Sequence, residues 1–194
     1  MKKKVVLIGF PGAGKSSVGF ELERIYGWSW LDLDREIELR SGRTVANIIR
    51  EEGETQFRDL ESHALKDALS ADCDVISVGG GALLAEENRN LLLGKSTLVH
   101  LEVSVEEAVK RLSADEAISS TKGATKRTEP VRPLLVGKSG TSIEENIEML
   151  ADRRKGIYDI AQIKVSSDGL DGESLARKVF SEIEKYRKCR TKLS

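Results

Sequence analysis

The run Gly9-Phe10-Pro11-Gly12-Ala13-Gly14-Lys15-Ser16 fits G-x-x-x-x-G-K-[ST] and follows directly on the apolar stretch Val5-Val6-Leu7-Ile8. With the amphipathic spacing of Val18, Leu22 and Ile25 behind it, the segment must fold as strand, loop and helix. In such a unit backbone N–H groups converge on the phosphates of a nucleotide, and the helix adds its positive N-terminal end. Glycine is required where the backbone takes φ > 0 or comes close to a ligand, which accounts for Gly9, Gly12 and Gly14. Lys15 then reaches the β and γ phosphates of ATP, and the Ser16 hydroxyl completes the coordination of Mg2+. The expected ATP contacts are Gly12, Ala13, Gly14, Lys15, Ser16 and Ser17. The plain alternative is a glycine-rich turn that happens to carry Lys-Ser.

Composition narrows the partners. The 194 residues suit one domain with a real core. The 31 basic residues nearly match the 32 acidic ones, giving a formal charge of -1, so no global field draws in nucleic acid or an anionic membrane. Met1-Lys2-Lys3-Lys4 before apolar residues resembles a signal peptide, but the run ends at the glycine loop without a cleavage site. No stretch is long enough to span a bilayer. Cys73 and Cys189 match no metal or redox spacing, and His63 and His100 suggest no zinc site. A monomer in a reducing cytoplasm is expected.

Apolar runs at residues 4 to 8, 28 to 33, 74 to 78 and 97 to 103 read as buried strands, with a weaker one near Gln162 to Val165. Helical patterns lie between them, such as the stripe Phe57, Leu60, Ala64, Leu65, Ala68, Leu69. Strands alternating with helices imply an α/β fold, a parallel sheet with helices on both faces, and ligands at the C-terminal ends of the strands.

Polar residues follow those strands. In Leu31-Asp32-Leu33-Asp34 an extended chain puts both carboxylates on one face, where one can hold a metal or its waters and the other can deprotonate a hydroxyl. Alternatively, Asp34 caps a helix beginning at Arg35 and Asp32 is a solvated strand end. Gly79-Gly80-Gly81 follows the third strand. Three glycines permit close approach to a small ligand, or else form a flexible turn. Arg58 lies beside the apolar stripe of the helix Gln56 to Leu69, and Glu61 can hold it by an i,i+3 pair of a kind usually found on surfaces.

Taken in order, these segments resemble the shikimate kinase family. The resemblance runs through the glycine loop, Leu31 to Asp34, Ser41-Gly42-Arg43-Thr44-Val45, Gly53-Glu54-x-x-Phe57-Arg58-x-x-Glu61 and Gly79-Gly80-Gly81-Ala82. It continues through Arg132-Pro133-Leu134-Leu135 and Arg153-Arg154-x-x-Ile157-Tyr158, covering nearly the whole chain. The resemblance implies a P-loop kinase fold with a central five-stranded parallel sheet and a mobile lid. It also implies transfer of the γ-phosphoryl group of ATP to the 3-hydroxyl of shikimate, in chorismate and aromatic amino acid biosynthesis. Lys15, Asp34 and Arg132 are the implied catalytic residues, with Asp34 as base and Arg132 reaching the phosphoryl from the lid. Ser16 and Asp32 would hold Mg2+. Asp34, Arg58, Arg154 and the backbone of Gly79, Gly80 and Gly81 would bind shikimate, the arginines gripping its carboxylate. Arg154 is chosen over Arg153 by its spacing to Tyr158; a solvated charged face is the ordinary reading of Asp152-Arg153-Arg154-Lys155.

Between Arg111 and Arg132 the chain is longer than the family's usual lid. Residues 112 to 136 form the expected lid, read as a mobile loop because the segment is small, polar and poor in aromatics. Arg111 matches a family position near adenine, but the insertion leaves adenine recognition open. The basic stretch from Lys185 to the C-terminus reads as a frayed helix end. Two other readings stay open: a kinase for gluconate or another polyol, which gives no reason for Arg58 and Arg154 beside Asp34, and a nucleotide-binding protein without phosphoryl transfer.

Overall fold

A computed structural model describes residues 3–121, 143–154 and 156–192. Along the chain run β1 (Lys4–Gly9), α1 (Lys15–Tyr26), β2 (Trp30–Asp32), α2 (Leu33–Ser41) and α3 (Val45–Ser70). They are followed by β3 (Val75–Ser77), α4 (Glu86–Lys95), β4 (Ser96–Glu102) and α5 (Val105–Thr121). The last elements are α6 (Ile143–Arg153), β5 (Ile163–Ser166) and α7 (Gly172–Thr191). The strands form one sheet in the order β2-β3-β1-β4-β5, every pair parallel. The chain winds to one side of β1 through β2 and β3, then crosses to β4 and β5. The glycine loop leaves β1 at this reversal, where open α/β sheets bind ligands.

Side-chain alternation along β1 builds both halves of the core. Val6 and Ile8 join Leu33, Ile37, Ile48, Phe57, Leu65 and Leu92 under α2, α3 and α4. Val5 and Leu7 join Val18, Leu22, Leu175, Val179 and Ile183 under α1 and α7. A strand covered on both faces reads as continuous apolar sequence, which is what residues 5 to 8 present. A third cluster, Phe10 with Ala108, Leu112 and Ile147, ties the start of the glycine loop to α5 and α6.

Several expectations need correction. Strand β2 ends at Asp32, so Asp34 belongs to the first turn of α2 and the alternation argument for Asp32 and Asp34 does not hold. The capping alternative is also displaced, because Asp32 is the N-cap and accepts from the Arg35 amide. Helix α3 begins at Val45 and is broken at Gly53 (φ 89, ψ 166), so Arg58 lies early in its second run. Residues 112–121, expected within a loop, extend α5 by helix; the rest of the expected lid lies outside the described residues. The basic stretch from Lys185 continues α7 to Thr191, and the Arg187 guanidinium lies 5.1 Å from the centre of the Trp28 ring. Among the described residues no helix is long and apolar enough to cross a membrane.

Candidate active site

The loop after β1 holds itself in shape. Gly12 and Gly14 take φ 79 and φ 87, left-handed values that side chains rarely adopt. Gly14 is the N-cap of α1 and supplies no side-chain oxygen, so the first amides of α1 are left to the loop's concavity. Lys15, 4% exposed, donates from Nζ to the Gly9 and Phe10 carbonyls at 3.1 Å each. Its backbone carbonyl accepts from Ser77 Oγ at 3.2 Å, and Ser77 Oγ accepts in turn from Trp30 Nε1 at 2.9 Å. The indole also fills the space where Gly19 has no side chain; a Cβ there would lie 2.1 Å from Nε1. Strands β2 and β3 thus brace the loop through two residues that the sequence did not flag. Ser17 is exposed on α1, beside Gly172.

Ser16 Oγ donates to Asp32 Oδ2 at 2.7 Å, while Asp32 Oδ1 caps α2. A hydroxyl and a carboxylate at the edge of a phosphate loop fit Mg2+, which keeps several waters and takes few protein ligands beside phosphate oxygens. Among the described residues no group of three or more His, Cys, Asp or Glu could hold a metal without such help.

Across the loop, Gly79, Gly80 and Gly81 act by close approach rather than by positive φ. A Cβ at Gly79 would lie 2.9 Å from Glu61 Oε1 and 3.1 Å from Asp34 Oδ1. At Gly80 it would meet Arg154 Nη1 at 2.5 Å and Tyr158 Oη at 3.0 Å, and at Gly81 both Arg58 Nη atoms at 2.5 Å. Each glycine therefore makes room for one part of a charged cluster assembled from α2, α3 and the turn after α6. Gly80 also lies against the Gly9 carbonyl, 3.1 Å from the same Cβ position, which puts the cluster beside the phosphate loop.

Glu61 and Arg154 are buried, Asp34 and Arg58 half-buried, and the cluster is only partly paired. Glu61, 0% exposed, binds Arg58 Nη1 through Oε2 at 2.7 Å, and Glu54 binds Arg58 Nη2 at 2.9 Å. Arg154 is 4% exposed whereas Arg153 is exposed. Glu61 Oε1, Arg58 Nε, and Nε and Nη1 of Arg154 have no hydrogen-bond partner among the described residues. Buried charged atoms in that state are rare and costly unless a ligand completes them. Burial pushes Glu61 up to about 7 against the pull of Arg58, with Asp34 adding to the rise. Burial works against the charge of Arg58 too, but Glu61 and Glu54 together more than offset it and the guanidinium stays protonated. Burial lowers Arg154, with Tyr158 opposing.

Tyr158 steadies this corner. Its hydroxyl donates to the Gly80 carbonyl at 3.2 Å and its ring stacks on His100 at 4.7 Å. Burial drives His100 down to about 4, so the stack is a neutral imidazole on a phenol at neutral pH. Arg111 is used structurally: it bonds Glu107 at 2.8 Å, the Gly12 carbonyl at 3.1 Å and the Ser167 carbonyl at 2.7 Å. It ties α5 to the phosphate loop and to the turn after β5. Arg132 lies outside the described residues.

The site therefore joins a phosphate cradle to a buried carboxylate beside a pair of arginines, the equipment for moving a phosphoryl group to an anionic alcohol. The shikimate kinase family model matches residues 11–184. The shikimate kinase of Rhodococcus erythropolis (strain PR4 / NBRC 100887) is 35% identical over 184 residues, covering 95% of this chain and 99% of that protein. That of Moorella thermoacetica (strain ATCC 39073 / JCM 9320) is 36% identical over 186 residues, 96% and 97% of the two chains. The solved structure of shikimate kinase from Acinetobacter baumannii in complex with shikimate superposes with a TM-score of 0.81 at 29% identity, covering 96% of this chain and 95% of that one. A gluconokinase from Sinorhizobium meliloti 1021, 14% identical over 99% of this chain and 97% of its own with a TM-score of 0.57, shares the fold alone. On its sequence, its fold and the extent of these matches, the chain belongs to the shikimate kinase family.

Proposed function

We infer that the protein transfers the γ-phosphoryl group of ATP to the 3-hydroxyl of shikimate, giving 3-phosphoshikimate and ADP. The observation that carries the reading is the convergence of Asp34, Arg58 and Arg154 on Gly79–Gly81, beside the loop that bears Lys15. Shikimate carries a carboxylate, and the buried Arg154 and half-buried Arg58, each with at least one guanidinium nitrogen that has no hydrogen-bond partner among the described residues, are the matching group. Asp34 lies on the Gly79 side and is the base for the 3-hydroxyl proton. The amides of Gly12, Ala13 and Gly14 and the Lys15 ammonium hold the phosphates, with Ser16 and Ser17 at the start of α1. To do so, Lys15 exchanges its bonds to the Gly9 and Phe10 carbonyls for phosphate oxygens.

Ser16 and Asp32 hold Mg2+, which when bound neutralises charge on the phosphates. Arg132, which lies outside the described residues, is the residue assigned to stabilise the charge that develops on the phosphoryl group. Burial of the acceptor end keeps water from competing for it. We take the 194 residues to work as one cytoplasmic, monomeric kinase domain without nucleic-acid or membrane partners.

The test is ADP release by the purified protein with Mg-ATP alone and with shikimate, quinate or gluconate, with the phosphorylated product identified. Shikimate-dependent ADP and 3-phosphoshikimate are expected. Turnover on gluconate but not shikimate would reassign the acceptor.

A further inference from the structure

We propose that Glu61 takes up a proton when the acceptor's carboxylate binds between Arg58 and Arg154, so that acceptor recognition is coupled to protonation of this one buried side chain. The proposal rests on the shikimate kinase reading and concerns what that reading leaves open, namely where the added negative charge goes.

The charge count raises the question. Around Gly79–Gly81 the buried Arg154 and Glu61 and the half-buried Arg58 and Asp34 sum to zero when all are ionised, with Glu54 on the exposed side of Arg58. A carboxylate ligand makes three anions for two cations around the buried Glu61 and Arg154, and an uncompensated buried charge is costly. Asp34 needs its charge to accept the hydroxyl proton, so Glu61 is the anion that can be given up. Its geometry allows this. Oε2 accepts from Arg58 Nη1 at 2.7 Å and can keep doing so as a neutral carbonyl oxygen. Oε1 has no hydrogen-bond partner among the described residues and can carry the proton. Once Glu61 is neutral, the ligand shares the positive charge of Arg58 with the exposed Glu54 alone.

The charged groups that act on Glu61 are Asp34 from α2, Arg58 from α3 and Arg154 from the segment after α6; behind them Glu54 bonds Arg58 and Tyr158 acts on Arg154. The Gly79–Gly81 loop presents backbone alone. Burial already holds Glu61 at about 7, so a further negative charge nearby raises it through neutral pH. The sign follows. Below about 7 Glu61 is already protonated and binding takes up nothing. Between that value and the higher one in the complex, binding takes up a proton and the shikimate Kd rises with pH, by up to about tenfold per unit. Above the bound-state value the uptake disappears again.

Calorimetric titration of the full chain with shikimate at pH 8, in buffers of different ionisation enthalpy, reads the proton count directly. The wild type should take up more than about half a proton per shikimate. Glu61→Gln should take up close to none, and shikimate methyl ester, lacking the charge, should bind weakly with none. Zero uptake by the wild type overturns the proposal, as does the same uptake in Glu61→Gln. Should that variant fail to fold, the infrared difference spectrum of the wild type with and without shikimate decides. A new protonated-carboxyl C=O band supports the coupling, and its absence with shikimate bound overturns it. No heat with shikimate in any buffer overturns the acceptor assignment and the coupling together, whereas heat without proton uptake overturns the coupling alone.

Discussion

The loop after β1 pairs its polar side chains with its own carbonyls and with the ends of the neighbouring strands, whereas the cluster around Gly79–Gly81 leaves charged atoms buried without a hydrogen-bond partner among the described residues. Lys15 is bonded to two carbonyls of its own loop, Ser16 to Asp32, and the Lys15 carbonyl to Ser77. At the other end two guanidinium nitrogens of Arg154 and one oxygen of Glu61 have no hydrogen-bond partner among the described residues. The contrast follows from how each end is made. The phosphate end is continuous backbone, so local geometry fixes it. The acceptor end imports side chains from α2, α3 and the turn after α6, and three glycines let them meet. An inorganic phosphate chain can be gripped by amides and one lysine, but an organic acid needs charges placed at its own dimensions.

If the two ends are separable, substitutions should divide between them. Asp34→Asn removes the proton acceptor and should lower kcat by about 10⁴-fold while ADP binding, followed by calorimetry, is kept. Wild-type turnover in that variant would remove Asp34 from the chemistry. Lys15→Ala should lower kcat by about 10³-fold and weaken nucleotide binding, yet leave shikimate binding in the absence of nucleotide as it was. Loss of shikimate binding there would merge the two ends. Gly81→Ala drives a methyl into the Arg58 guanidinium and should raise the shikimate KM by up to about 10²-fold, with the ATP KM within about twofold. Smallest is Trp30→Phe, which keeps an aromatic ring but loses the bond to Ser77 and part of the indole packed over Gly19. About 1 kcal/mol of stability in thermal unfolding and less than about a threefold change in ATP KM are expected. A large rise in shikimate KM would mean that Ser77 serves the acceptor end instead.

What the sequence disclosed follows the same division. The glycine loop was legible because its function resides in contiguous backbone, and the strands because a sheet covered on both faces demands apolar runs. Asp32 and Asp34 were singled out for a geometry they do not have: β2 stops at Asp32, and Asp34 approaches Gly79 from a helical turn. Glu61 was read only as the arginine's holder, since an i,i+3 ion pair on a helix looks the same whether solvated or buried. The Gly79-Gly80-Gly81 run was the available signal, because glycines that keep ordinary φ are there to admit neighbours. Trp30 and Ser77 give no signal in the sequence, as an indole on β2 beside a glycine on α1 is a purely tertiary fit. The helical extension through Thr121 was missed because small polar residues were weighed as loop formers, although Ala, Glu and Leu within residues 112–121 favour helix.

The most direct test is to titrate ADP and shikimate separately into Arg154→Met, which replaces a buried charge with an unbranched side chain that fits the volume. The account predicts ADP affinity within about twofold of wild type and shikimate affinity reduced by about 10²-fold or more, as expected when a charged hydrogen-bond partner is removed. Equal losses for both ligands, or undiminished shikimate binding, would contradict an acceptor end built on buried charge and independent of the phosphate loop.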